Sequence, residues 1–376
     1  MSVTIKQVND KENLRKFVDF SIDLYKGNEY FVPPLIYDEM ATLSRDKNPA
    51  FEHCEAAYFL AYKEDEIVGR IACIINHKAN NVWNEKQARF GFVDFIDDAE
   101  VVNALFHEVE EWARFRGMEK IHGPMGFTDF DYEGLLIDGF DQLSTMQTIY
   151  NYPYYVDYIE RLGYKKDQDW FEYLIPIPRE IPERFMRVAE IVRKKFRLNA
   201  IKLENKKDVW PYAKDIFHLL NLSYKDLYGF VPLSEAQIDY YVKMYIPMLR
   251  LNFLSIVLRE EDNKLVGVGI GLPSMARALQ KAEGKFLPTG WFHLYKALKG
   301  KNNVLDLMLI GVDPEYQGKG VNSLIFSQFI TEAVKLGFEY AESNPELEVN
   351  TKVQSMWNDF DATHHKTRRA YIKDLK

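Results

Sequence analysis

Cysteine is nearly missing: Cys54 and Cys73 are the only two in 376 residues, too few and too far apart for a disulfide framework or a thiolate zinc site. They read as small buried apolar residues. Long apolar runs are missing too, since nowhere do about 18 such residues follow one another, which excludes an ordinary helical membrane span. The first residues, Met1 to Phe17, lack the basic-then-apolar order of a secretory or transit segment, so a cytoplasmic location is expected. Nor is there an excess of positive charge: 48 Lys and Arg stand against 56 Asp and Glu, a net charge of −8. That balance excludes the broad basic field of a nucleic-acid binder. His364 and His365 have no partner at a metal-ligand spacing, and no metal is expected.

What is present is an ordinary globular composition, 47% hydrophobic and 28% charged, in a chain longer than one usual domain. The chain also repeats itself. "IKQVNDKENLRKF" from Ile5 resembles "IKLENKKDVWPYA" from Ile201, "FVPPL" from Phe31 resembles "FVPLS" from Phe230, and "YKEDEIVGR" up to Arg70 resembles "REEDNKLVGV" up to Val268. Three matches in order at a nearly constant offset indicate a duplicated domain. Each copy reads as a helical region, a hairpin turning at "EDE" or "EDNK", a further strand (Ala88 to Phe95; Val304 to Val312) and a long amphipathic helix ending at Gly117 or Gly337. The expected domains are 1–175 and 199–376, joined by a linker and helix over 176–198, with the proline-rich "LIPIPREIPERF" (Leu174 to Phe185) as the natural connection.

In the second copy the strand is followed by "DPEYQGKG" and then a helix. Free N–H groups and the positive end of the dipole gather at a helix N-terminus, and glycine lets an anion approach them closely. Gln317-Gly318-Lys319-Gly320-Val321-Asn322 after a strand resembles the Q/R-x-x-G-x-G/A signature of the GNAT superfamily of acyl-CoA-dependent N-acyltransferases. Asn322 stands where that signature has glycine or alanine. The whole chain resembles bacterial tandem-GNAT proteins.

The resemblance implies an α+β fold of two tandem GNAT-like domains, each a mixed, mostly antiparallel sheet flanked by helices. It implies an acetyl-CoA or other acyl-CoA co-substrate, a small-molecule or peptide amine acceptor, and pyrophosphate held by residues Gln317 to Asn322. Leu309, Ile310, Gly311 and Val312 are implied along the pantetheine arm, with Asn350 as the asparagine that follows the fifth strand. Asp306 occupies the place of a base on the fourth strand; an aspartate at the wet edge of the strand is the alternative. Trp357 stands where a leaving-group tyrosine is common, which leaves Tyr371 or Tyr158 for that role.

The first copy has Asp97, Asp98 and Glu100 at the equivalent helix start, where carboxylates occupy the free N–H groups and repel a pyrophosphate. One acyl-CoA site, in the second copy, is therefore expected. Further expectations concern an acidic pocket of Glu342, Glu346 and Glu348 with Asp306, and a CoA phosphate contact from Lys366, Arg368 and Arg369. An acceptor-binding loop is expected over His122 to Phe140, and a basic, aromatic insertion between Pro273 and Val304 reads as a packed helical pair, a groove wall or a membrane-touching segment. Two rival readings stay open beside an acetyltransferase: a long-chain acyl- or aminoacyltransferase, and a non-catalytic acyl-CoA sensor.

Overall fold

The computed structural model describes residues 2–180 and 183–375; Pro182 of the expected linker lies outside the described residues. The first half contributes β1 (Val3–Gln7), β2 (Cys54–Lys63), β3 (Glu66–Asn76), β4 (Gln87–Phe95), β5 (Lys120–Gly123), β6 (Leu135–Asp138) and β7 (Lys165–Pro176). The second contributes β8 (Leu198–Ile201), β9 (Leu254–Arg259), β10 (Leu265–Pro273), β11 (Val304–Val312), β12 (Tyr340–Ser343), β13 (Glu346–Leu347) and β14 (Thr363–Asp374). Alternating apolar side chains and turns at Glu64 and Asn263, both in the left-handed region, explain the two hairpins β2–β3 and β9–β10.

All of these strands form one sheet in the order β1-β2-β3-β4-β5-β14-β7-β12-β11-β10-β9-β8, with β6 and β13 appended to β14 and β7. The order is nearly symmetric about the β14–β7 pair. Within each half the strands are antiparallel except one parallel pair, β4 with β5 and β11 with β12. Each half hands its last long strand to the other: β14 pairs with β5, and β7 pairs with β12. The boundary expected at residue 175 thus falls inside β7, because Leu174 to Pro176, read from their prolines as a connection, pair with β12. A repeat in sequence tells which strands exist, not which neighbour each one takes.

Helices cover both faces. On the first half, α1 (Lys11–Leu24) and α2 (Ile36–Thr42) lie on one face, α3 (His77–Trp83) links β3 to β4, and α4 (Ala99–Phe115) and α5 (Tyr154–Arg161) lie on the other. The second half begins with α6 (Glu183–Phe196), then α7 (Ala213–Tyr224) and α8 (Glu235–Tyr245), the helical pair α9 (Ala276–Ala282) and α10 (Gly290–Lys299), α11 (Asn322–Leu336) and α12 (Thr351–Gln354). Both α4 and α11 bury one stripe, Val101, Leu105 and Val109 in one and Leu324, Phe329 and Ala333 in the other, and stop at Gly117 and Gly337 as expected. Each fully buried Leu or Phe of these clusters contributes on the order of 1.5–3 kcal/mol.

The seam between the halves is charged. Lys366 and Arg368 on β14 and Glu172 on β7 have side chains with 0% exposure. Glu172 accepts from Arg368 and is ion-paired with Lys366, Lys366 also reaches Glu342 on β12, and Arg368 donates to the Ile149 carbonyl. Despite burial, the two cations hold the Glu172 carboxyl down at about 2.

Candidate active site

Strand β11 pairs with β12 only from Val304 to Leu307. At Met308 it bulges, since the register against β10 steps from Gly271↔Leu307 to Ile270↔Leu309. Beyond the bulge the β12 edge of β11 is open. Side chains take up its carbonyls: Met308 O accepts from Asn344 Nδ2 (3.2 Å), Ile310 O from Tyr224 Oη (2.9 Å), and Val312 O from Ser223 Oγ (3.0 Å) and Gln317 Nε2 (3.1 Å). A residue's N–H and C=O point to the same strand edge. Ile310 and Val312, past the bulge, therefore turn donors toward the gap.

The glycine loop lies at the end of this strand. Gly318 and Gly320 have φ of +72° and +82°, the left-handed region that glycine enters without a Cβ penalty. A Cβ on Gly318 would meet nothing within 4 Å, whereas one on Gly320 would stand 3.0 Å from Val192 of α6. No side chain caps α11. Among the described residues the N–H groups of Gly318, Gly320, Val321 and Asn322 have no acceptor, and they form a ready anion cradle. Lys319 lies over the Phe196 and Tyr316 rings beside it.

In the first half both features are closed. Asp98 caps α4, accepting from Glu100 N (2.9 Å) and Val101 N (3.4 Å), and pairs with Lys63. The segment after β5 lies against β4: Met125 N donates to Phe90 O (2.9 Å), and a Cβ on Gly91 would stand 2.2 Å from Met125 O. Beside it only about 40 Å³ is left, lined by Arg70, Asp94 and Tyr132 among others.

Residues 214–360 match the family model "Acetyltransferase (GNAT) family". The second half carries a GNAT acetyltransferase domain. The chain is 28% identical to Protein YghO of Escherichia coli (strain K12), covering 97% of this chain and 94% of that protein. It is also 28% identical to the bacterial ceramide synthase of Caulobacter vibrioides (strain NA1000 / CB15N), covering 99% and 98%. Among solved structures, a tandem GNAT protein from the clavulanic acid biosynthesis pathway superposes with a TM-score of 0.58 at 10% identity, covering 100% of this chain and 99% of that one. The fold is thus that of tandem GNAT proteins, α+β, and the GNAT domain of the second half, with the acyltransferase relative, supports an acyltransferase; GNAT enzymes use acyl-CoA as co-substrate.

Of the residues expected in the GNAT site, Leu309 to Val312 and Gln317 to Asn322 form one continuous strand-and-loop surface. Asp306 lies on the same strand but is 4% exposed rather than facing a cleft. Neither of its carboxyl oxygens has a hydrogen-bond partner among the described residues, and its neighbour on β12 is Glu342. Burial first, and then the charge of Glu342, push Asp306 well above the usual carboxylate range. The folded pKa is raised, so Asp306 favours folding at low pH and that advantage is lost as pH rises above about 3.9. Asp306→Asn is therefore expected to gain stability relative to the parent by up to about 1.4 kcal/mol per pH unit between pH 5 and 7. Urea unfolding of both proteins across that range measures it; a constant difference would show Asp306 ionised.

Tyr371 is not brought to this site. The strand exchange carries it into the first half's core, where it is 0% exposed and donates to Glu160 (3.2 Å). Tyr158, the other expected proton donor, is on α5 and donates to Asp97 (2.8 Å). Asn350 sits at the start of α12 and makes no side-chain cap. The asparagine that reaches β11 is Asn344, just after β12; its position directly behind the strand was the available signal. The expected phosphate contacts Lys366 and Arg368 are consumed in the buried seam, and Arg369 pairs with Asp169.

The expected acidic pocket is dispersed. Glu342 is paired with Lys366, and Glu348 with Lys166. Glu346 accepts from Trp357 Nε1 (2.8 Å), while its other oxygen has no partner among the described residues; burial pushes its carboxyl up to about 8. The His122–Phe140 segment packs on the connection between α7 and α8. Arg89 donates to the Gly126 and Gly229 carbonyls, and Asp129 accepts from Val231 N (3.2 Å). Burial raises both Asp129, to about 6, and Glu133, well above the usual range, and each keeps one unpartnered buried oxygen among the described residues.

A surface depression of about 800 Å³ between α6, β8 and α11 contains none of the expected site residues.

Proposed function

We propose that this protein is an acyl-CoA-dependent N-acyltransferase whose single coenzyme site is the open edge of β11 and the glycine loop. The observation that carries this reading is the contrast between halves: four unaccepted N–H groups and an open strand edge in one, an Asp98 cap and a filled edge in the other. A pyrophosphate fits the cradle, and the N–H groups of Ile310 and Val312 suit an extended amide-bearing arm.

The acceptor amine enters beside the His122–Phe140 segment. Once neutral, the amine attacks the thioester carbonyl; the C–N bond forms, the nitrogen sheds a proton, the C–S bond breaks, and the thiolate takes a proton. Glu346 is positioned to give that proton. It lies against Trp357, where the tyrosine of similar enzymes stands, and with a carboxyl pushed up to about 8 it is mostly protonated at neutral pH. Turnover is expected to fall above about pH 8, and Glu346→Gln to lose that alkaline limb along with about 10²- to 10⁴-fold in rate, measured as a pH–rate profile.

The ceramide synthase relative favours a long-chain acyl donor and a lipid amine over acetyl transfer. Following thiol release with acetyl-CoA and palmitoyl-CoA, each with a long-chain primary amine, tests this. Faster release from palmitoyl-CoA is expected, and turnover of acetyl-CoA alone would restore the acetyl form.

A further inference from the structure

Helix α10 is apolar on two sides. Its inner side is already used, with Leu294 buried and Ala297 and Leu298 packed on α9. Its outer side, with the turn before it, presents Phe286 (52% exposed), Leu287 (70%), Trp291 (47%), Phe292 (52%) and Tyr295 (59%) within ten residues of chain. Tyr37 of α2, 70% exposed, rims the same depression as Phe286. A folded core needs only the inner stripe of such a helix, and a gathered outer patch of this size marks an interaction surface.

The charge around the patch selects its partner. In a protein of net charge −8, the segment 276–301 carries Arg277, Lys281, Lys285, Lys296, Lys299 and Lys301 against one acid, Glu283. Lys296 and Lys299 lie on the exposed flank of α10 itself. Aromatic and aliphatic side chains beside long-stemmed lysines are the pattern of a helix that lies in a bilayer interface with its cations among anionic headgroups. Among the described residues no helix is long and apolar enough to cross a membrane.

We propose that α10 and the turn Phe286–Leu287 dock this protein on the surface of an anionic lipid bilayer. This goes beyond the proposed reaction and does not depend on it. In the fold, α9 starts just after Pro273, whose neighbour Leu272 pairs with Asp306, so the docked segment leaves the sheet beside the start of β11, two residues before its bulge.

The test is co-sedimentation of the full chain with vesicles of phosphatidylcholine alone and of phosphatidylcholine with phosphatidylglycerol, at low and high salt. Binding to the anionic vesicles, weakened by salt, is expected. The double variant Trp291→Ser, Phe292→Ser is expected to partition at least about tenfold more weakly while keeping its melting temperature. A folded parent that stays in the supernatant with anionic vesicles at low salt overturns the proposal, as does a variant that binds like the parent. A parent dimer that the variant dissolves in sedimentation velocity overturns it too, assigning the patch to a second copy of the chain.

Discussion

Gly318→Asp is expected to weaken acyl-CoA binding at least about a hundredfold, roughly 2.7 kcal/mol, with little loss of fold. The position is open: a Cβ there meets no atom within 4 Å. Aspartate enters the left-handed region more readily than most residues, and the conformational cost is roughly 1–2 kcal/mol. Its carboxylate would take the N–H groups that now have no acceptor and would repel an incoming pyrophosphate. The substitution brings to the second half's loop a carboxylate of the kind that Asp98 supplies at the start of α4. Calorimetric titration with acyl-CoA measures the loss. Gly318→Ala, which adds bulk without charge, should lose less.

The second large effect concerns the seam. Arg368→Met is expected to destabilise the protein by about 3–5 kcal/mol, because it leaves Glu172 short of a cation in a place without water. Replacing both partners, Glu172→Leu with Arg368→Met, should recover much of that loss, since the pair becomes apolar while Lys366 keeps Glu342 as its partner. Urea unfolding of the three proteins gives the comparison. A pH dependence follows as well. Glu172 is held at about 2 in the folded chain against an unfolded value near 4.5, so its stabilisation is full above that value and disappears as pH falls toward 2. Without Arg368 the acid transition should move to higher pH. Because β7 and β14 each complete the other half's sheet, both halves should lose structure in one transition.

The local signals in the sequence were strong where one element makes its own case. The strand Val304–Val312 was readable to the residue, and the ends of α4 and α11 at Gly117 and Gly337 followed from capping. The unlike chemistry of the two helix starts was also legible, since Asp98 and Gly318 act within their own loops. What depended on long-range pairing was not. Tyr371 looked available for chemistry because nothing near it in sequence shows that β14 crosses to β5. Lys366 and Arg368 looked free to contact a CoA phosphate for the same reason: their partners Glu172 and Glu342 lie on strands set beside them by the exchange. Asn344 was missed because the asparagine was sought six residues later, where the chain already turns into α12.

Hydrogen exchange of the full chain with and without acyl-CoA tests the central claim most directly, since it reports on both helix starts in one experiment. Protection confined to the second half, over Met308 to Leu324 with none at Asp98 to Val102, is the expected result. Protection at the start of α4, or at both helix starts, would contradict a single coenzyme site on the glycine loop.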